Sequence, residues 1–178
     1  MSLEIAQLGQ PVLRQVAVEV APDKIASPQL QEFLAMMKET LVEAKGAGLA
    51  APQVFVGLRV FLAAILPPSD EDGPPGIEIC INPRITPLSD GKTSEWEGCL
   101  SFPELVVLVP RAHAVRIEYL NENGAPCIRD LEDFPARVVQ HELDHLDGIL
   151  TLDRAASTHD IIKASELEDL LERDESEA

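Results

Sequence analysis

Residues 133–148, DFPARVVQHELDHLDG, read as one helix that the fold has to cover. Asp133 can cap it, Pro135 is tolerated in its first turn and Gly148 can close it. Val138, Val139, Leu143 and Leu146 give it apolar surface, so it packs into the interior. The same helix carries His141 and His145, four residues apart, with Glu142 beside the first. Residues i and i+4 sit one above the other, so both imidazoles reach one metal ion. Glu142 points about 100° further round and flanks that ion. This suits a general base for water whose pKa a metal brings down to about 7. HExxH has only three fixed residues and occurs by chance. The plainer reading, two structural histidines, needs hydrogen-bond partners for both buried rings. The spacing supports a hydrolytic metal site.

Catalytic metal sites take three protein ligands. The extended pattern HExxHxxGxxH would put a third His at position 151, where this chain has Thr151, a poor ligand. Glu166 and Glu168 stand at about the separation used by another zincin class. An exposed acidic helix accounts for them equally well. Cys99, in EWEGCLSFPE, follows Gly98, which permits close backbone approach. A thiolate suits zinc or ferrous iron. A buried structural thiol is the plainer reading for Cys99, as it is for Cys80 and Cys127. The residues alone leave the third ligand open. They also leave open a zincin-like peptidase and a non-enzymatic metal-sequestering protein.

The remaining pattern predicts an α+β fold, with antiparallel or mixed sheets around the HExxH helix and helices toward both ends of the chain. Ser27 and Pro28 open an N-terminal helix with Leu30, Phe33, Leu34, Met37, Leu41 and Val42 on one face, and Gly46 is placed to end it. LRVFLAAIL and GIEICINP read as strands around an exposed loop, PPSDEDGPPG. Residues 106–131 read as further strands, with Asn123-Gly124 as a hairpin turn and His113 on a strand face in a structural role. An acidic helix or tail covers about residues 158–178, with the helix running from about Asp160 to Arg173, and reads as a solvated face. Residues 1–178 fit one domain.

The 31 acidic and 14 basic residues leave a net charge of −17, the opposite of a nucleic-acid footprint. No apolar run approaches the roughly 18 residues of a membrane helix. The N-terminus has no basic start followed by an apolar block, so the cytosol is the expected compartment. Three cysteines there are not expected to pair.

Three blocks then carry a resemblance. GAGLAAPQ at 46–53, EGCLS at 97–101 and QHELDHLDG at 140–148 resemble, in order, the signature blocks of the peptide deformylases. The opening LGQPVLRQVA is also similar, and the likeness covers roughly residues 3–152. It implies removal of the formyl group from formylmethionine at the start of nascent polypeptides, with release of formate. It implies Cys99, His141 and His145 as metal ligands and Glu142 as general acid/base. The Gln53 amide and the Leu100 backbone N–H would stabilise the oxyanion. The backbone near Gly48 and Gly98 would pair with the peptide as an added strand, and Phe134 and Val138 would wall the methionine pocket. It implies one divalent metal ion, ferrous iron physiologically, while the ligand set also suits zinc, nickel or cobalt. Val106 departs from the Gly or Arg of many relatives, which bears on the substrate rim. The acidic tail offers no basic anchor, so contact with the ribosome is at most transient and membrane contact is not expected. Deleting residues 160–178 is expected to leave turnover of a short formyl peptide intact.

Overall fold

The run VFLAAIL is apolar at almost every position because both of its faces are covered. It forms β2 (Val60–Leu66), in which Phe61, Ala63 and Ile65 join one core cluster while Val60 and Leu62 join another. Two-sided burial of this kind replaces the usual alternation with a continuous apolar run. The structure is a computed structural model and describes residues 2–67 and 75–177. The PPSDEDGPPG loop expected after β2 falls largely on residues 68–74, outside that range.

Two helices supply the covers. Helix α2 (Pro28–Glu43), which follows the short α1 (Pro22–Ile25), lays Leu30, Leu34, Met37 and Leu41 on Val60, Leu62 and Ile81. Each such fully buried side chain is worth about 1.5–3 kcal/mol. Ser27 caps α2 by accepting from the Leu30 N–H at 3.3 Å. Val42 does not share the buried face; it is 60% exposed. The left-handed residue that ends the helix is Lys45 (φ 52°), while the Gly46 N–H closes the turn on the Leu41 carbonyl. Gly46 is small for another reason: a Cβ there would press on the Leu100 and Leu41 side chains.

Helix α3 (Asp133–Leu146) is the HExxH segment. It packs Ala136, Val138, Val139 and Leu146 against Phe61, Ala63, Val115, Ile117 and Leu131. Its N-cap is Glu132 and shows no side-chain cap bond, so Asp133 is not the cap. Asp133 takes φ 53° and faces the His113 ring at 3.4 Å. Gly148 (φ 72°) follows the C-cap Asp147 as expected.

The strands form two antiparallel sheets. One has the order β1-β2-β3-β6-β7, from β1 (Gly48–Ala50), β2, β3 (Gly76–Pro87), β6 (Ala114–Leu120) and β7 (Pro126–Glu132). The other has the order β4-β5-β8, from β4 (Lys92–Gly98), β5 (Leu105–Ala112) and β8 (Ile161–Lys163). The expected hairpin joins β6 and β7, with only Gly124 of its Asn-Gly pair at positive φ. His113 is not on a strand face. It sits at the corner between β5 and β6, where the chain crosses from one sheet to the other.

The tail differs from expectation. Residues 158–166 are short 3-10 turns around β8, and helix α5 is Leu167–Glu177. Strand β8 pairs with Leu105–Val107, so part of the acidic tail completes a sheet. Val106 is buried between Gly98 on β4 and Ile162 on β8. Helix α4 (Thr151–Arg154) follows α3, and the Thr151 hydroxyl within it is buried without a partner.

Candidate metal centre

Strand β4 ends at Gly98, and Cys99 opens the turn behind it, its carbonyl accepting from the Phe102 N–H at 3.1 Å. That turn brings the thiol to the inner face of α3. Cys99 Sγ lies 3.3 Å from His145 Nε2, and the two imidazole centroids are 5.0 Å apart. Ligand atoms of Cys99, His141 and His145 all lie within 4.8 Å of one another. A tetrahedral ion with sulfur at about 2.3 Å and nitrogen at about 2.0 Å needs its donors roughly 3.3–3.6 Å apart. The Sγ–Nε2 distance matches, and one thiolate with two imidazoles leaves a position open, so the residues present fit a catalytic divalent ion. Glu166 and Glu168 are exposed and do not belong to the cluster.

The candidate ligand His141 is held from behind. The Nδ1 of His141 is 2.9 Å from Glu97 Oε2. Glu97 in turn takes a two-pronged bond from Arg111, at 2.9 Å on each oxygen, and a third from Arg137 at 2.7 Å. Arg111 also binds Asp144 at 2.6 Å, and Arg154 closes the chain on Asp144. Glu97, Arg111, Arg137 and Asp144 are all buried. Buried charges persist only when paired and hydrogen-bonded, as these are. The motif reading missed them. Strand parity points to one of them: Arg111 shares its face of β5 with buried Val107 and Val109.

Burial works against ionising Glu97, yet the hydrogen bonds from His141 and Arg111 prevail and hold it at about 2. Burial likewise opposes a charge on His141, but Cys99 and Glu97 raise its pKa to about 10. His145 goes the other way, lowered by burial and by its neighbour His141. Glu142 is lifted to about 7 by burial, with His141 and Arg111 opposing. A carboxyl poised there can both take and return a proton near neutrality. Its Oε2 is buried without a partner, and Gly48 lies so close that a Cβ would overlap Oε1.

Gln53 sits on the single 3-10 turn Ala51–Val54 and is buried. Its Oε1 accepts from the Ala50 N–H at 2.8 Å, which fixes the amide so that Nε2 faces Ser101 Oγ (3.2 Å) and Cys99 Sγ (3.7 Å). A cavity of about 410 Å³ opens here, lined by the Gly46–Gly48 and Glu95–Leu100 segments, Gln53, Phe134, Arg137, Val138, His141 and Glu142. Among the described residues, strands β1 and β4 are each the outer strand of their sheet, so two free edges flank the cavity. Gly98 has open space where a side chain would be. Phe134 is 54% exposed at the mouth and Val138 is buried in the wall. Val106 is buried and pairs with Gly98 of the lining without lining the cavity itself.

The family model of polypeptide deformylase matches residues 2–160. The chain belongs to the polypeptide deformylase family. Peptide deformylase 2 of Nostoc sp. is 39% identical over 171 residues, 95% of this chain and 94% of its own length. Among solved structures, the peptide deformylase of Thermotoga maritima superposes with a TM-score of 0.79 at 36% identity, covering 88% of this chain and 99% of that one. A class I type b peptide deformylase of Acinetobacter baumannii, bound to Met-Ala-Ser, gives 0.79 at 36% identity, covering 86% and 98%. Peptide deformylases are metal-dependent hydrolases that take the formyl group off nascent polypeptides, and the chain is such an enzyme. The zincin-like peptidase is not favoured. No helix among the described residues is long and apolar enough to cross a membrane.

Proposed function

We propose that Cys99, His141 and His145 hold one divalent metal ion, ferrous iron in the cell, and that this chain deformylates peptides beginning with formylmethionine. One observation carries the reading: ligand atoms of Cys99, His141 and His145 converge within 4.8 Å beside a cavity that Cys99, His141, Glu142 and Gln53 line. When bound, the ion supplies Lewis acidity and makes water acidic enough to attack at neutral pH.

The chain's own groups do the rest. Glu142 takes the proton from the attacking water and delivers it to the amine nitrogen as the carbon–nitrogen bond breaks, leaving formate and a free amino terminus. Gln53 Nε2 and the Leu100 N–H donate to the oxygen that becomes negative. A single pre-aimed donor of this kind is worth about 2.7–4 kcal/mol elsewhere. The free edges at Gly48 and Gly98 hold the peptide backbone as a strand between the sheets. Phe134 and Val138 receive the methionine side chain. Residues 1–178 act as one catalytic unit in the cytosol. Nascent peptides are the partners; the acidic surface argues against direct nucleic-acid contact and leaves ribosome contact transient.

The test is formate release from a formyl-Met tripeptide by protein purified without oxygen. Wild type should release formate, Cys99→Ala should lose the metal, and Glu142→Ala should keep the metal while turnover falls about 10²–10⁴-fold. No release by metal-loaded wild type would overturn the reading.

A further inference from the structure

Glu95 stands at the cavity with nothing in the proposed chemistry to do. It lies on β4 two residues before Glu97, and a strand period of two puts both on the same side. Arg137 on α3 confirms the shared side: its Nε meets Glu95 at 3.2 Å and its NH1 meets Glu97 at 2.7 Å. The two carboxylates differ in surroundings. Glu97 is buried and also bound by Arg111 and His141, whereas the Glu95 side chain is 53% exposed with Arg137 as its ion-pair partner. Glu95 therefore presents a half-solvated negative charge on the cavity wall.

The direction of a bound peptide follows from the topology, on the proposed reading of the site. The metal ligand Cys99 comes directly after the C-terminal end of β4, so the formyl end of a peptide lies there. The rest of the peptide can leave along the free edge of β4 only by running back toward Lys92, antiparallel to it. The methionine side chain enters the cavity, on the side of α3 and Glu97. In an extended peptide the second side chain points away, and the third returns to the methionine side about 6.7 Å further on. Two residues back from Glu97, on that same side, is Glu95.

We propose that Glu95 is a specificity-determining residue that reads the third residue of the substrate, favouring lysine or arginine there and disfavouring aspartate or glutamate. The inference rests on the deformylase reading and adds a substrate class to it. The overall charge of −17 favours basic peptides at any position. Glu95 makes the preference specific to one position.

The experiment measures kcat/KM on metal-loaded enzyme for amidated peptides formyl-Met-Ala-Xaa and formyl-Met-Xaa-Ala, with Xaa as Lys, Ala or Glu. Wild type, Glu95→Gln and Glu95→Lys are compared at low and high salt, each normalised to its own rate on formyl-Met-Ala-Ala. At position three, wild type should prefer Lys over Glu by about tenfold at low salt, a gap typical of two weak solvent-exposed charge contacts. High salt should shrink it, Glu95→Gln should reduce it several-fold and Glu95→Lys should reverse it. At position two, the Lys/Glu ratio should not change between wild type and Glu95→Gln. A position-three ratio that survives Glu95→Gln, or equal changes at both positions, overturns the role of Glu95 while leaving deformylation intact. Failure to turn over any of the peptides overturns the deformylase reading and this inference with it.

Discussion

His141 Nδ1 lies 2.9 Å from Glu97 Oε2, and that contact decides which nitrogen of the ring is available for a metal. An ionised carboxylate can only accept, so Nδ1 carries the hydrogen and Nε2 is left to coordinate. Glu97 is kept ionised because the His141 imidazole and Arg111 together outweigh its burial. Glu97→Gln should therefore lower metal affinity about 10–100-fold in chelator competition. Glu97→Ala should also destabilise the fold by about 3–5 kcal/mol in denaturant titration, because Arg111 and Arg137 are left buried and under-paired.

Glu142 illustrates the opposite balance, in which the proposed catalytic role costs stability. Its folded pKa, about 7, lies above its ordinary value of 4.5. For an acid raised in this way, the neutral form is the one that suits the fold. The contribution is fully favourable below pH 4.5 and is lost as pH rises through 7. Glu142→Gln should thus be more stable than wild type in the metal-free state at pH 8, by up to about 3 kcal/mol, with the difference vanishing near pH 4. Thermal melts of both apoproteins across pH 4–8 check this, and parallel curves would refute it.

Gly48→Ala should injure catalysis without removing the metal. The added Cβ overlaps Glu142 Oε1, so the carboxylate must move, and the three atoms nearest to that Cβ all belong to Glu142. Displacement of about 1 Å in a catalytic group can cost about 10²-fold in rate. Unchanged metal content beside a drop of that order in kcat is the expected result.

The tail can be cut at two places with different consequences. Removal of 167–178 takes away α5 alone and should change stability by less than about 0.5 kcal/mol, with formyl-peptide turnover kept. Removal of 160–178 also strips β8 from Leu105–Val107 and uncovers Val106. That protein should melt at lower temperature, yet turn over substrate normally while folded. Equal melting temperatures for the two truncations would show that β8 contributes nothing.

Local spacing determined much of this protein. HELDH on a helix fixes two imidazoles and a flanking carboxylate at mutual positions that no tertiary arrangement can change, because i and i+4 share a helix face. The apolar period of α2, the run of β2 and the Asn-Gly hairpin were legible for the same reason: each is a property of neighbouring residues. Three motif blocks in order then supplied Cys99, Gln53 and Leu100 by resemblance. Only the tertiary structure brought Cys99 to His145 across 46 positions of chain, and only it revealed Glu97, Arg111, Arg137 and Asp144 as the buried charge network behind the ligands. A charged residue looks the same in sequence whether water or an arginine satisfies it; its partners come from other elements of the fold. The same limit misplaced the start of the tail helix. Strand β8 exists because β5 offers it an edge, and a three-residue strand carries no periodicity of its own to announce it.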